Sequence, residues 1–287
     1  LTKNSLTKST MKLVDEKEFK KLLSSLKIEE TISGGSVANS IVGLAQLGNN
    51  VGFIGKVNND KFGQKYENGL INEKVKYLYE KKEEKIPTGS CLILITPDSE
   101  RTMCTFLGTA GKINDTDIKK EYIQSAEIIF LEGYLWDEGD PKKAFDKAIM
   151  HSKKIAMSLS DLFCVNRHKP HFLELVKNQL NIIFANEQEI LSLIDAKDFQ
   201  EAVSFSKQIK KNIVITRGER GAISVNGDEI IEVNAQSDLN IKDLTGAGDL
   251  FAAGYLHGVI NNLDTKECLI KGTELSSKII QKIGARI

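Results

Sequence analysis

The chain has 287 residues, of which 41% are hydrophobic and 27% charged, so it is long enough for one large α/β domain with a small appendage. Its 39 basic and 39 acidic side chains cancel, and this balance predicts neither a nucleic-acid nor a membrane-surface partner. No apolar run approaches the roughly 20 residues of a membrane helix, and residues 1–30 lack the apolar segment of a signal peptide. None of the four cysteines forms a CxxC pair. These features predict a reduced, cytoplasmic protein.

Two kinds of pattern follow each other along the chain. MKLVD (11–15) predicts a strand, and SCLILITPDSERTMCTFLG (90–108) predicts a hairpin around its PDSER turn. Short apolar runs bounded by polar residues, typical of strands buried on both faces, are VGFIG (51–55), EIIFL (127–131), KIAMSL (154–159), NIIFA (181–185) and NIVIT (212–216). Helical spacing of apolar residues occurs between or after the later runs, at 140–152, 171–179, 198–210 and 264–284.

This alternation predicts an α/β fold with a doubly wound, mostly parallel sheet flanked by helices, and a small β-sheet lid. We expect the large domain to comprise residues 34–75 and 109–287, and the lid to comprise part of 1–33 together with 76–108. Doubly wound domains usually open with a buried strand, whereas residues 1–30 contain only a short strand and a helix. We therefore also expect a first strand upstream of Leu1.

DLTGAGD (243–249) is the most informative motif. The apolar run LFAAGYL follows it and predicts a buried helix, so the motif lies at a helix N-terminus, where backbone N–H groups lack partners and the dipole is positive. Gly246, Ala247 and Gly248 add little side-chain bulk, so an anion can approach these amides. A carboxylate at Asp249 would lie beside that anion and could accept the proton of an attacking hydroxyl. A glycine-rich turn capped by an aspartate is the alternative interpretation.

Three weaker motifs also fall at strand ends or helix starts. SGGSVANS (33–40) opens a helix, and the amide of Asn39 suits a pair of sugar hydroxyls. NEQE (186–189) follows a strand and offers oxygen ligands for Mg²⁺ with its waters. TRGERGA (216–222) forms a tight loop at the same sheet edge, where a nucleotide contact is plausible. For each of them an ordinary helix start or turn is the alternative.

The order of these motifs resembles that of the PfkB (ribokinase-like) family of ATP-dependent sugar and nucleoside kinases. The matching elements are GG-x-x-x-N, N-x-x-E, T-x-G-x-x-G and D-x-x-G-A-G-D, and together they extend over almost the whole chain. The resemblance implies a doubly wound α/β domain with a β-sheet lid, and the use of ATP and Mg²⁺. It leaves open whether a monovalent cation activates the protein, and whether the protein is a monomer or a homodimer.

The resemblance also assigns roles around the phosphates. Asp249 matches the catalytic base, and the small residues before it match the anion hole. Asn186 and Glu189 match the motif that organises Mg²⁺ and the phosphates. Asp243 either shapes the loop or lies near a cation. The nucleotide contacts implied by the third motif are Thr216, Gly218 and Gly221.

On the substrate side, Gly34, Gly35 and Asn39 match the pocket that holds sugar hydroxyls. Ser36 replaces the lysine of typical ribokinases, and IPTGSC (86–91) is similar to the lid entry of the adenosine kinase branch. Arg101 matches an arginine of that branch that swings onto the phosphates. LEGYLWD (131–137) resembles a bacterial subgroup of adenosine or sugar kinases, in which Glu132 would reach the substrate.

The resemblance thus favours phosphorylation of the 5′-hydroxyl of a nucleoside, adenosine above others. A sugar kinase acting on ribose, fructose or a related sugar is the nearest alternative, because the fold does not choose the substrate. A non-catalytic nucleotide or sugar sensor is the third interpretation. The chain departs from the family pattern at Leu244 and Asn59, and the family's first strand and its substrate-binding aspartate would precede Leu1.

Overall fold

A computed structural model describes residues 6–8, 11–96, 101–136 and 139–287, and only the backbone of Arg101. Within these residues the main sheet has six strands. They are β6 (Ile129–Glu132), β7 (Ile155–Ser158), β8 (Ile182–Asn186), β9 (Asn212–Thr216), β10 (Ala222–Asn226) and β11 (Glu229–Val233). The spatial order is β11-β10-β9-β8-β7-β6; β6 to β9 are parallel, and β10 is antiparallel to both of its neighbours.

Helices cover both faces of this sheet. On one face lie α5 (Asp140–His151), α6 (Leu162–Asn178), α7 (Glu187–Leu193) and α8 (Phe199–Ile209). On the other face lie α2 (Ser36–Gln46), α9 (Ala247–Ile260) and α10 (Thr265–Ile279). Successive strand residues point to opposite faces, so Ile183 packs on the first layer and Phe184 on the second. The continuous apolar runs of the sequence reflect this double burial.

A three-stranded sheet lies outside the main one, and we call it the lid. It consists of β1 (Met11–Leu13), β4 (Ser90–Ile95) and β5 (Arg101–Phe106), in the order β1-β5-β4. β4 and β5 form the expected hairpin, whose turn at 97–100 lies outside the described residues. α1 (Glu16–Ser24) covers one face, where Phe19 and Leu22 pack on Leu92 and Cys104.

The opposite face of the lid is open. The residues that alternate with the covered ones include Leu13, Ile93 and Met103. Ile93 and Met103 are direct cross-strand partners, and Leu13 pairs with Thr105, two positions along β5 from Met103. Ile93 keeps 42% of its surface exposed, and all three side chains line the large cavity between the lid and the main sheet. The lid therefore presents an apolar surface to this cavity.

The prediction that VGFIG (51–55) forms a strand of the main sheet is wrong. Only Gly52–Phe53 (β2) is extended, and it pairs in parallel with Lys76–Tyr77 (β3) in a separate two-stranded sheet. Glycines at positions 52 and 55 weaken strand formation here, while Val51 and Phe53 pack beside α2 and α3 (Lys61–Asn72). β3 lies within the segment 76–108 that was expected to form part of the lid, but it pairs with β2 outside the lid sheet.

Two helices differ in extent from the expected segments. α6 begins at Leu162 rather than at 171 and continues past Pro170, with a kink at His168, because proline removes a helical N–H but can be accommodated by bending. α10 ends at Ile279, and residues up to 284 are irregular. α4 (Lys120–Ser125) and three short 3₁₀ turns at 108–112, 115–117 and 218–220 complete the described elements.

Residues on both β2 and β6 line the large cavity, and each of these strands has one neighbour in its sheet. The additional strand expected upstream of Leu1 stays a prediction.

Candidate functional site

The N-terminus of α9 lies open toward the cavity. Gly246 occupies the N-cap position with φ +80°, and no side chain caps the helix. A Cβ atom on Gly246 would come within 2.8 Å of the Cβ of Ala285, so both the backbone and the C-terminal segment require glycine here. A Cβ on Gly248 would instead meet nothing within 4 Å. The first amides of α9 therefore border free space in which an anion can bind.

Asp249 lies in the first turn of α9, and the start of α2 holds its carboxylate. Ser36 Oγ donates to Oδ1 at 2.8 Å, and Asn39 Nδ2 donates to Oδ2 at 2.8 Å. Ser40 Oγ donates to the backbone carbonyl oxygen of Asp249, also at 2.8 Å. Burial raises the pKa of Asp249, while the hydrogen bonds from Asn39 and Ser36 oppose this rise by stabilising the carboxylate.

Glu132, the last residue of β6, supplies a second carboxylate to the same place. Its Oε2 accepts a hydrogen bond from the backbone N–H of Val37 at 3.0 Å. Burial and the negative charge of Asp249 raise the pKa of Glu132 to about 7, against the opposing effects of the Val37 N–H and the Ser36 hydroxyl. The site therefore contains two carboxyl groups whose charges interact.

Asn186 and Glu189 form a reciprocal cap at the start of α7. Asn186 Oδ1 accepts from the backbone N–H of Glu189 at 2.8 Å, and the Glu189 carboxylate accepts from the backbone N–H and the Nδ2 of Asn186. Glu189 is 5% exposed, and burial together with repulsion by Asp161 raises its pKa to about 7, although the Asn186 N–H counteracts this. This pair is a structural cap as well as a candidate cation site.

The cavity brings most of the predicted site residues together. Glu132, Asn186 and Thr216 end three parallel strands at the same edge of the sheet. The predicted residues that line the cavity are Gly34, Gly35, Asn39, Glu132, Asn186, Glu189, Thr216, Asp243, Gly246, Ala247, Gly248 and Asp249. The sequence motifs, which are far apart in the chain, thus converge on one space.

Among the described side chains and glycines, two predicted residues do not line this space. Gly218 and Gly221 form the turn between β9 and β10, where Gly221 has φ +82° and a Cβ would come within 1.9 Å of the carbonyl oxygen of Val233. The backbone alone therefore explains Gly221. Arg101 begins β5, but its side chain lies outside the described residues.

Comparison with known proteins identifies the family. The pfkB family carbohydrate kinase profile matches residues 10–287. The chain belongs to the pfkB family of carbohydrate kinases. Adenosine kinase from Saccharomyces cerevisiae is 26% identical to this pfkB-family kinase, over 99% of this chain and 90% of the yeast protein.

Two solved structures are similar over the whole chain. Adenosine kinase from Sinorhizobium meliloti has a TM-score of 0.94 at 33% identity, covering 100% of this chain and 89% of that one. A protein described as a probable sugar kinase, from Rhizobium etli CFN 42, has a TM-score of 0.93 at 34% identity, with coverages of 100% and 88%. The predicted family and fold class are confirmed. This pfkB-family kinase is a phosphotransferase with a hydroxyl acceptor, similar to adenosine kinases and to sugar kinases.

The family implies ATP with Mg²⁺, and the residues present fit such a cation. Glu189 is buried, and the described groups that influence its carboxylate include no cation, so a divalent cation nearby would compensate its charge. The described residues contain no cluster of three or more metal-binding His, Cys, Asp or Glu side chains. Mg²⁺ is commonly bound through one or two carboxylates, substrate phosphates and its own waters, which these residues allow.

The motifs did not reveal one residue of the site. Arg286 donates from Nε to Asn39 Oδ1 at 3.2 Å and from Nη2 to the carbonyl oxygen of Gly34 at 3.2 Å. It lies 247 positions from Asn39, outside every recognisable motif, so only the three-dimensional structure connects them.

Across the described part of the chain, no helix is long and apolar enough for a transmembrane span.

Proposed function

We propose that this kinase transfers the γ-phosphate of ATP to the 5′-hydroxyl of a ribonucleoside, with adenosine as the preferred acceptor. The observation that carries the proposal is the carboxylate of Asp249 beside the uncapped N-terminus of α9. A base for the hydroxyl proton and amides for the phosphoryl charge are two of the components that recur in phosphoryl-transfer sites.

Asp249 accepts the proton of the attacking hydroxyl in this mechanism. Its pKa is raised by burial, which makes it a stronger base than an exposed aspartate. Ser36 and Asn39 fix the carboxylate from the side of α2, so it needs no reorientation when the acceptor binds. The amides of residues 246–249 stabilise the negative charge of the transferring group. Bound Mg²⁺ would neutralise phosphate charge, with Asn186 and Glu189 as its proposed contacts.

The open face of the lid supports a nucleoside over a free sugar. Leu13, Ile93 and Met103 offer an apolar surface in the same cavity that Asp249 lines. A purine has an apolar face that such a surface can cover, whereas a free sugar presents hydroxyl groups that would lose hydrogen bonds with water there. The adenosine kinases from yeast and Sinorhizobium meliloti among the relatives agree with this preference.

A sugar kinase remains the second candidate because the similar Rhizobium etli structure is described as a probable sugar kinase. ADP release should be measured with a panel of adenosine, guanosine, cytidine, ribose, fructose and 5-dehydro-2-deoxygluconate. We expect kcat/KM for adenosine to exceed that for each free sugar by at least about tenfold. Turnover of a sugar without turnover of adenosine would reject the proposed substrate but keep the kinase. Binding of ATP without ADP release from any acceptor would favour a sensor.

A further inference from the structure

Arg286 connects the C-terminal segment to the candidate base through one intervening side chain. Its Nε donates to Asn39 Oδ1, and the Nδ2 of the same asparagine donates to Asp249 Oδ2. Its Nη2 simultaneously donates to the carbonyl oxygen of Gly34, next to the N-cap of α2. The guanidinium group also lies 5.9 Å from the ring centroid of Tyr66. Arg286 is therefore held in place by three groups.

The hydrogen-bonding chemistry of Arg286 and Asp249 permits only one orientation of the Asn39 amide between them. A guanidinium group has hydrogen-bond donors and no acceptor, so the amide oxygen must face Arg286. An ionised carboxylate has only acceptors, so the amide NH₂ group must face Asp249. Asn39 is 4% exposed, so water does not compete for these positions. Without Arg286, no donor on that side would hold the amide oxygen, so the amide could rotate away from the Asp249 carboxylate.

We propose that Arg286 is a positioning residue, which fixes the Asn39 amide so that its NH₂ group stays bonded to the carboxylate of Asp249. The inference rests on the proposed role of Asp249 as the base. It assigns Asn39 a task within the protein, because both ends of its amide are already engaged by protein groups. The direct role expected from the sequence, holding sugar hydroxyls, would then use only its remaining hydrogen-bonding capacity.

The charges around Asp249 define what should change when Arg286 is replaced. Ser36 and Asn39 stabilise the Asp249 carboxylate from α2, and the charge of Asp249 in turn raises the pKa of Glu132 on β6 and of Tyr134. Loss of the Asn39 donor would remove one stabilising contact while the carboxylate stays buried. The pKa of Asp249 should then rise, and the acidic limb of the kcat profile should move to higher pH.

The test uses Arg286→Met, which keeps an unbranched aliphatic stem but removes the hydrogen-bond donors and the charge. We expect the acidic limb of log kcat to shift upward by about one pH unit. At a pH above the limb, kcat should recover to within about threefold of the wild type, because the base itself is intact. Arg286→Lys keeps a charged donor but lacks the planar guanidinium group with its several N–H donors, so the acidic limb should lie between those of the wild type and Arg286→Met. An unchanged limb in Arg286→Met would overturn the proposal.

A double-mutant cycle with Asn39→Ala separates action through Asn39 from a direct effect of the positive charge. In the Asn39→Ala background, Arg286→Met should move the limb no further. Additive shifts would show that Arg286 acts on Asp249 directly and would reject the relay. Gln46→Leu is the matched control, since Gln46 Nε2 binds the backbone of the neighbouring Ile287 without contacting Asn39. An equal shift in Gln46→Leu would mean that only docking of the C-terminal segment matters, which also rejects the relay.

A readout without turnover keeps the inference separate from the proposed function. ¹³C NMR of ligand-free protein with labelled aspartate carboxyl groups follows the titration of Asp249. Its carboxyl signal is assigned as the one that disappears in Asp249→Asn. The same upward shift in Arg286→Met is expected even if no acceptor of the panel is phosphorylated. Kinase activity combined with an unshifted Asp249 titration in Arg286→Met would reject the relay alone.

Discussion

Replacing Asp249 by asparagine removes the proposed base while preserving its shape. The new amide can accept from Asn39 Nδ2 through its oxygen and donate through its NH₂ group to Ser36 Oγ, whose hydroxyl hydrogen is free to turn. Both contacts to α2 are therefore retained in altered form. We expect the free energy of unfolding to change by less than about 1 kcal/mol, as for a substitution that leaves no buried group unpaired.

The loss of rate should be far larger than the change in stability. A positioned general base contributes about 10²–10⁴-fold to a rate, which corresponds to roughly 3–5 kcal/mol in activation free energy. The amides at the start of α9 remain in place, so part of the phosphoryl stabilisation persists. kcat should fall by this factor, and KM for ATP should change little because the removed interaction acts mainly in the transition state.

The assay is coupled ADP release at saturating ATP, with circular dichroism and denaturant unfolding on the same samples. Asp238→Asn is the control: Asp238 is exposed, and its φ of +58° suits asparagine, so both activity and stability should match the wild type. A loss of less than about tenfold in kcat for Asp249→Asn would refute the assignment of the base, because a positioned general base typically contributes at least about 10²-fold.

Four further substitutions test neighbouring parts of the site. Gly246→Ala should lower the free energy of unfolding by more than about 1 kcal/mol, because position 246 has a φ of +80° and a Cβ there would contact Ala285. Gly248→Ala should keep the stability but reduce kcat, because it places a methyl group beside the anion site. Thermal unfolding and ADP release distinguish the two effects. Burial raises the pKa of Glu132 from 4.5 to about 7, so the folded state binds more protons than the unfolded state and loses stability as pH rises through this window. Glu132→Gln should remove up to about 3 kcal/mol of this pH-dependent loss of stability, as measured by denaturant titrations of ligand-free protein. Asp243→Asn should destabilise the fold by about 1–3 kcal/mol without altering the Mg²⁺ dependence of kcat, while a raised Mg²⁺ requirement would instead support a cation ligand.

Much of the architecture could be predicted because the strands carry strong local patterns. NIIFA and NIVIT are continuous apolar runs, and each strand packs on both helix layers. β8 packs Ile183 on one layer and Phe184 on the other, and β9 does the same with Ile213 and Val214. Motifs that directly follow such strands reach the same edge of a parallel sheet, so their convergence also followed from the sequence. For these elements, local pattern and tertiary position agree.

Two failures have a common physical cause. VGFIG has the composition of a buried strand, but whether it joins the main sheet depends on which neighbour supplies hydrogen bonds, and its partner is β3. Arg286 has no distinctive local sequence, because its role arises only where the C-terminal segment passes α2. Pairing and remote contacts are set by tertiary packing, which the periodicity of one segment does not encode.

The two aspartates of DLTGAGD divide scaffold and chemistry between them. The carboxylate of Asp243 accepts the backbone N–H groups of Thr245 at 2.6 Å and Gly284 at 2.9 Å, so it fixes the loop and joins it to the C-terminal segment. Asp249 makes no such contact within its own loop; its carboxylate is held from α2 instead. Because the loop is shaped without Asp249, that carboxylate can face the cavity and exchange a proton while the uncapped amides of α9 keep their geometry.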